Sequence, residues 1–447
     1  TMLTRLVVVF ILPSICIAHY AAPPEQLGTL ASPDGTVVAT LSLSAPGQVA
    51  AYPADKVRLY YKIEHGPEGN RVEVLPWSPL GIRRDDQAFV DGLKLEGQGE
   101  VAAIDETYSM PHGKRRVCHS LAREQTFTFE NASGAKLQIV LRVANDGVAF
   151  RYRFPDASDE LRTVTGELTG FRLPADGRAW VTPYQEASKW TPAYEEYYLD
   201  GVPVGTESPN RAGWAFPALF QVGDRWVLVT EAAVDRSYCG CRLEQKAPDG
   251  LYRIRFPDPG EGNGQGAVQP SAKLPWATPW RVVMVADSPG RFVESTLVTD
   301  LNPPSRVEDT SWIKPGRVAW SWWSDHDSPQ DYLKMREFVD LAAEMGWEYF
   351  LVDANWTLMN HGDVRELADY GKEKGVGLFL WYNSGGEHNI VTEKPRGCMK
   401  DQGIRKFEFE LLSKWGIKGV KIDFFQSDKQ NLMALYHDIL RDAAEQR

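Results

Sequence analysis

The chain has 447 residues, 43% hydrophobic and 24% charged, which sets aside disordered and fibrous classes and leaves room for at least two domains. A net charge of −11 without any Lys/Arg run lacks the basic footprint of phosphate-backbone binding, so no nucleic-acid partner is expected. Fifteen Trp tilt the balance slightly toward a protein that stacks on sugar rings, although large cores use them too.

At the N-terminus, Arg5 precedes an apolar run from Leu6 to Ala18, broken only by Pro13 and Ser14, and polar Pro-rich sequence follows. This pattern predicts a secretory signal over residues 1–22, with cleavage after Ala18 the simpler site. The run is too short to span a bilayer and nothing comparable recurs, so a periplasmic or secreted protein is expected, with no membrane association after cleavage. Ile15 is larger than the residue that lipid attachment at Cys16 would want. Thr1 ahead of Met2 points to a fragment of a longer reading frame. Cys118, Cys239, Cys241 and Cys398 are too scattered for a disulfide framework or a zinc ligand set, and Cys239 and Cys241 flank one Gly, which strains a bridge. They read as ordinary thiols.

From Ser32 to Val298, short alternating runs such as Thr36 to Leu43, Leu137 to Val143, Ala149 to Phe154 and Arg225 to Val229 are punctuated by Gly, Pro, Asp and Asn. Many short strands with regular turn signals predict a large antiparallel sandwich over residues 23–300.

After Pro303-Pro304 the pattern changes to alternating strands and helices over residues 301–447. Arg317 to Trp323 predicts a strand, and Ser328-Pro329 opens a helix whose stripe of Tyr332, Met335, Phe338, Val339 and Ala342 ends at Gly346. Tyr349 to Val352 is the second strand, followed by a helix with Val364, Leu367 and Ala368 inward, ending at Gly375. Val376 to Tyr382 is the third, and its helix is predicted to bury Ile404, Phe407, Leu411 and Trp415 before Gly416. Gly419 to Phe425 is the fourth, and Ser427 with Gln430 predicts a capping box for a helix carrying Leu432, Leu435, Tyr436, Ile439 and Leu440. Four such units predict a parallel sheet covered by helices. No Gly-rich phosphate loop follows the first strand, which argues against a doubly wound sheet. A (β/α)8 barrel needs roughly 250 residues, so the expected fold class is an antiparallel β-domain followed by the first half of such a barrel.

Catalytic groups of this barrel class sit at the C-terminal ends of strands. Those ends read Trp320-Ser321-Trp322-Trp323-Ser324-Asp325, Val352-Asp353-Ala354-Asn355-Trp356, Trp381-Tyr382-Asn383-Ser384-Gly385-Gly386 and Lys421-Ile422-Asp423-Phe424-Phe425. Carboxylates suit sugar hydroxyls and an oxocarbenium-like transition state, and aromatic faces suit stacking. Asp423, a charge at the end of an apolar strand, is the candidate nucleophile, with Lys421 on the same side by strand alternation. The alternative is an ion pair or a cap. Asp353 is a candidate hydroxyl ligand, Trp323 and Trp381 are candidate stacking residues, and Asn383 and His388 are candidate substrate contacts. Asp428 and Gln430 read as structural.

The segment GVKIDFFQSDKQ at Gly419 to Gln430 resembles the retaining branch of glycoside hydrolase family 97, with further matches in WYNSGG at Trp381 to Gly386, His388-Asn389, Pro395-Arg396 and Pro279-Trp280-Arg281. The resemblance implies an N-terminal β-supersandwich, a central barrel, and an exo-acting α-glycosidase acting on an oligosaccharide or α-galactoside. It also implies Asp423 as nucleophile, since inverting α-glucosidase members lack that Asp. A calcium ion is implied near the site, with Glu196 as one ligand and Glu195 the neighbouring possibility. The general acid Glu and the other calcium ligands would come from sequence after Arg447. An α-glucosidase of the same family and a non-catalytic sugar-binding protein are the competing expectations, and the 447-residue chain alone is expected to be inactive and poorly soluble.

Overall fold

The computed structural model describes residues 25–44 and 56–446, so the signal expected over 1–22, with Cys16, lies outside the described residues. The N-terminal part is built of sandwich-like antiparallel sheets. One has four strands in chain order, Glu25–Ala31, Val37–Ser44, Arg58–His65 and Val72–Pro79. A larger sheet of 13 strands is threaded on Gly147–Glu167, which pairs with Lys136–Ala144, Ser271–Ala277 and Trp280–Ala286. Strand periodicity explains its burial. Leu137, Ile139, Leu141 and Val143 face the main core with Phe127 and Phe129 of the neighbouring strand, while Val140 and Ala144 face a second cluster with Trp280 and Leu297.

The C-terminal part is a four-stranded sheet, β1 (Val318–Trp320), β2 (Tyr349–Val352), β3 (Gly377–Asn383) and β4 (Gly419–Asp423), parallel throughout and in chain order. Helices α1 (Tyr332–Glu344), α2 (Val364–Lys374) and α3 (Gln402–Lys414) connect successive strands, and α4 (Gln430–Ala444) follows β4. One core of Met335, Val339, Phe350, Leu367, Leu378 and Phe409 joins helices to sheet. No helix among the described residues is long and apolar enough to cross a membrane. Cys118, Cys239, Cys241 and Cys398 form no disulfide.

Several expected boundaries move, each for a local reason. Ser328-Pro329 forms a short 3-10 turn, and α1 is capped instead by Asp331, whose side chain accepts from the Leu333 amide. On α3 the buried residues are Arg405, Phe409 and Leu412, while Ile404 and Phe407 are exposed. Arg405 belongs inside because its guanidinium is held by the buried Asp442 carboxylate of α4, at 2.8 Å from Nε, and by the Met399 carbonyl at 2.6 Å. Tyr436 and Leu440 of α4 are likewise exposed. The expected capping box at Ser427 does not form. The N-cap of α4 is Lys429, without a side-chain cap, and Gln430 bonds instead to the backbone of Ser271 and Arg236.

Candidate active site

Because the sheet is parallel and unshifted, the C-terminal ends of its strands fall on one edge. Trp381 pairs in register with Lys421, and Asn383 with Asp423. Side chains two apart share a face, which puts Lys421 and Asp423 together. Lys421 Nζ lies 3.0 Å from Asp353 Oδ2 and 3.6 Å from Asp423 Oδ2, bridging the ends of β2 and β4. The buried Asp353 also accepts from Trp320 Nε1 at 2.7 Å and from the Ala354 amide at 2.7 Å. Lys421 sits 4.6 Å from the centre of the Trp320 ring, a cation–π contact. Asp423 accepts from the buried Trp381 Nε1 at 3.2 Å and from the Phe424 amide at 2.8 Å. Two donors and the charge of the Lys421 ammonium thus converge on a carboxylate whose side chain keeps 37% of its surface. Such donors hold an oxygen in one direction, as a nucleophile requires.

The loop after β3 supports this edge from behind. Asn383 is fully buried and spends its amide on the loop, donating to the carbonyls of Val391 and Glu393 and accepting from the Gly385 amide and Asn389 Nδ2. Asn389 also donates to the Phe424 carbonyl at 2.8 Å, and the Ser384 amide to the Asp423 carbonyl at 2.8 Å. His388 is buried, with Nε2 2.9 Å from Ser384 Oγ. Burial, with Lys400 and Arg396 nearby, pushes its imidazole down to about 4. Asn383 and His388 thus spend these polar atoms on bonds within the loop after β3.

The β-rich part supplies a second wall. A cavity of about 180 Å³ is lined by Trp190, Tyr194 and Glu195 on one side and by Asp423, Phe424 and Asp428 on the other. The Trp190 and Phe424 rings are 5.7 Å apart, and Gln426 Nε2 donates to the Lys189 carbonyl at 2.6 Å. Trp323 stands 83% exposed at the edge, its ring 5.3 Å from that of Trp320.

Of the residues the sequence singles out, Asp353, Trp381, Lys421 and Asp423 are brought together, and Trp323 stands beside Trp320, which contacts two of them. Glu196 is exposed. Calcium takes six to eight oxygen ligands, and among the described residues no three His, Cys, Asp or Glu side chains are grouped to hold a metal. These residues alone do not make a calcium site. Trp320, Tyr184 and Tyr194 escape sequence reasoning as site residues. The only signal for Tyr194 is the dense aromatic and acidic stretch from Trp190 to Tyr198, far from β4 in the chain, and Tyr184 lies outside that stretch.

The family model described as glycosyl-hydrolase 97 N-terminal matches residues 30–304, and that described as glycoside hydrolase 97 matches residues 312–447. A probable retaining alpha-galactosidase of Streptomyces bingchenggensis (strain BCW-1) is 33% identical over 380 residues, covering 82% of this chain and 54% of that protein. A retaining alpha-galactosidase of Bacteroides thetaiotaomicron is 26% identical over 444 residues, 91% of this chain and 61% of that protein. The chain therefore spans little more than half the length of these relatives. A crystal structure of a beta-arabinopyranosidase superposes with a TM-score of 0.85 at 36% identity, covering 94% of this chain and 66% of that one.

Proposed function

The chain belongs to glycoside hydrolase family 97, and from that premise we propose that the whole protein is an exo-acting retaining α-glycoside hydrolase, an α-galactosidase first of all. The observation that carries the proposal is the Asp423 carboxylate, open to a cavity and aimed by Lys421, Trp381 Nε1 and the Phe424 amide. In this reading Asp423 attacks the anomeric carbon and forms a glycosyl-enzyme ester while the leaving group departs with a proton. Water then attacks the same carbon and releases Asp423 with net retention. The proton-donating carboxyl must lie roughly 5 Å from the nucleophile, and in this reading it is a Glu from sequence after Arg447. Lys421 and Asp353 bind ring hydroxyls, and Trp323 offers a face for stacking.

Two structural proposals accompany this reading. The four parallel strands are the first half of a (β/α)8 barrel over residues 301–447, fronted by a β-domain over 23–300, and the protein is exported through a signal in residues 1–22. The 36% identical beta-arabinopyranosidase favours a second substrate reading. A β-L-arabinopyranoside presents the ring hydroxyls of an α-D-galactopyranoside without its hydroxymethyl arm.

Comparing aryl α-galactoside, β-L-arabinopyranoside and α-glucoside as substrates of the whole natural protein tests both readings. Fastest turnover of the galactoside is expected. Faster arabinopyranoside cleavage would install the second reading, and preference for the glucoside, or no turnover at all, would remove both.

A further inference from the structure

The segment after β4 carries more constraint than a loop-to-helix connection needs. Phe424 has φ 63° and Gln426 φ 54°, left-handed backbone that non-glycine residues adopt only when their surroundings impose it. Phe424 is the residue whose amide donates to Asp423 Oδ1, so this strained turn sets where the carboxylate points. Part of the restraint comes from the loop after β3, through Asn389. The rest comes from the β-rich region, which holds Gln426 through the Gly262 amide and the Lys189 carbonyl and holds Asp428 through its side chain and backbone.

Asp428 Oδ2 accepts from Tyr184 Oη at 2.7 Å and also from Tyr194 Oη. Its carbonyl accepts from the Gly240 amide at 2.8 Å, and its own amide donates to Glu261 Oε2 at 3.3 Å. A Cβ on Gly240 would lie 3.0 Å from Asp428 Cβ, so the two backbones approach closely here and a side chain would press on Asp428. Behind Tyr184, the Arg242 guanidinium lies 3.8 Å from the ring centre and 2.7 Å from Glu261. The next residue, Lys429, is fully buried and donates through Nζ to the carbonyls of Pro259, Glu261 and Gln265. Burial and the Asp428 charge push both phenols up, so both remain neutral donors. Tyr194 leaves 53% of its surface exposed while its hydroxyl is turned in to Asp428.

We propose that Asp428 is a positioning residue for Asp423: held by Tyr184 and Tyr194, it locks the 424–428 turn and thereby the direction of the nucleophile. The β-rich region is then part of the catalytic machinery. The proposal rests on the reading of Asp423 as nucleophile. Simple adhesion between the two regions is the alternative, and it would show as lost stability with chemistry unchanged.

The test uses Tyr194→Phe, Asp428→Asn and the double variant in the whole natural protein. It follows kcat and KM on an aryl α-galactoside, melting temperature, and amide hydrogen exchange of peptides spanning residues 419–430. Misplacing a reacting group by about 1 Å costs on the order of 100-fold, so Asp428→Asn should lower kcat about 100-fold and Tyr194→Phe about 10-fold, with KM within about 2-fold. Exchange of the segment should rise in each. The double variant should lose no more than Asp428→Asn alone, because both changes break one unit. Unchanged kcat, losses that multiply, or losses confined to KM or melting temperature would overturn the proposal. Should Asp428→Asn fail to fold, Tyr194→Phe decides, since it removes one hydroxyl from a half-exposed side chain. Should the unaltered protein turn over no glycoside, the function reading fails by itself, and exchange alone decides the lock: faster exchange in Tyr194→Phe upholds it, unchanged exchange sinks it.

Discussion

Two charged clusters, one in each part of the molecule, use the same chemistry to opposite ends. In the β-rich part, Arg281 donates from Nε and Nη2 to both oxygens of Glu167, at 2.8 and 2.6 Å, and from Nη1 to Glu231 at 2.6 Å. The Arg281 and Glu167 side chains have no exposed surface, and the second Glu231 oxygen accepts from the Cys241 amide. At the edge of the parallel sheet, Lys421 lies 3.0 Å from Asp353 and 3.6 Å from Asp423, a looser set of contacts; Lys421 and Asp423 keep 34% and 37% of their side-chain surface, and Asp423 lines a cavity. A closed cluster has all its hydrogen-bonding capacity filled and serves the fold. An open one keeps capacity that a sugar hydroxyl or an anomeric carbon can use.

The largest expected effect tests the open cluster. Asp423→Gly in the whole natural protein should lower kcat by on the order of 10⁴-fold or more with little change in melting temperature. Azide should restore turnover by entering the vacated space and yield the β-glycosyl azide. An Asp423→Gly protein that kept a tenth of its activity without azide would remove the nucleophile assignment.

The closed cluster should answer differently. Arg281→Met leaves Glu167 buried without its partner, and breaking a buried pair in this way costs about 3–5 kcal/mol. Lys421→Met, at a partly exposed site, should cost far less stability and act mainly on kcat/KM. Equal melting temperatures for the two variants would erase the contrast.

How much of this was legible in the sequence follows the reach of the interactions. The apolar stripes of α1 and α2 were readable because helix periodicity is local: Met335, Val339, Ala342, Val364 and Leu367 are all buried. The stripe of α3 was misread because a charged residue, Arg405, takes an inward position, and its partner Asp442 lies 37 residues away. Asp423 and Lys421 could be placed from strand alternation, and Asp353 from its place at a strand end. Ser427 and Gln430 looked like a cap because the capping pattern is local, whereas Gln430 is claimed by Ser271 across 159 residues. The contact of Tyr194 with Asp428 spans 234 residues, and no periodicity reports it.

Titration offers a finer comparison. His388 sits in the loop behind the open cluster with its imidazole pushed down to about 4 by burial, with Lys400 and Arg396 adding to it, from an ordinary 6.5. The folded state therefore resists protonation. Its contribution is fully present above pH 6.5 and is lost as pH falls toward 4, a change on the order of 2–3 kcal/mol. Glu231 in the closed cluster has the opposite sign. Burial raises it to about 7, against the pull of Arg281, so its contribution is present below pH 4.5 and is lost as pH rises through 7. Unfolding free energies of the unaltered protein and of His388→Gln, measured from pH 7 to 4, should converge as pH falls. Parallel curves would mean that His388 is not held neutral.

The smallest expected effect concerns Trp323, because its exposure separates binding from folding. At 83% exposed it contributes little to the core, and surface substitutions of this kind usually stay within about 0.5 kcal/mol. Its ring nevertheless stands 5.3 Å from Trp320, which donates to Asp353 and lies under the Lys421 ammonium. An aromatic face in that place is useful to a sugar ring, and aromatic stacking is worth about 0.5–1.5 kcal/mol, which corresponds to a roughly 2- to 12-fold rise in KM for Trp323→Ala. The expected signature is therefore raised KM, unchanged kcat and unchanged melting temperature. A drop in melting temperature with KM intact would make Trp323 a packing residue of a surface covered in the whole protein, and would move it from the open cluster to the scaffold.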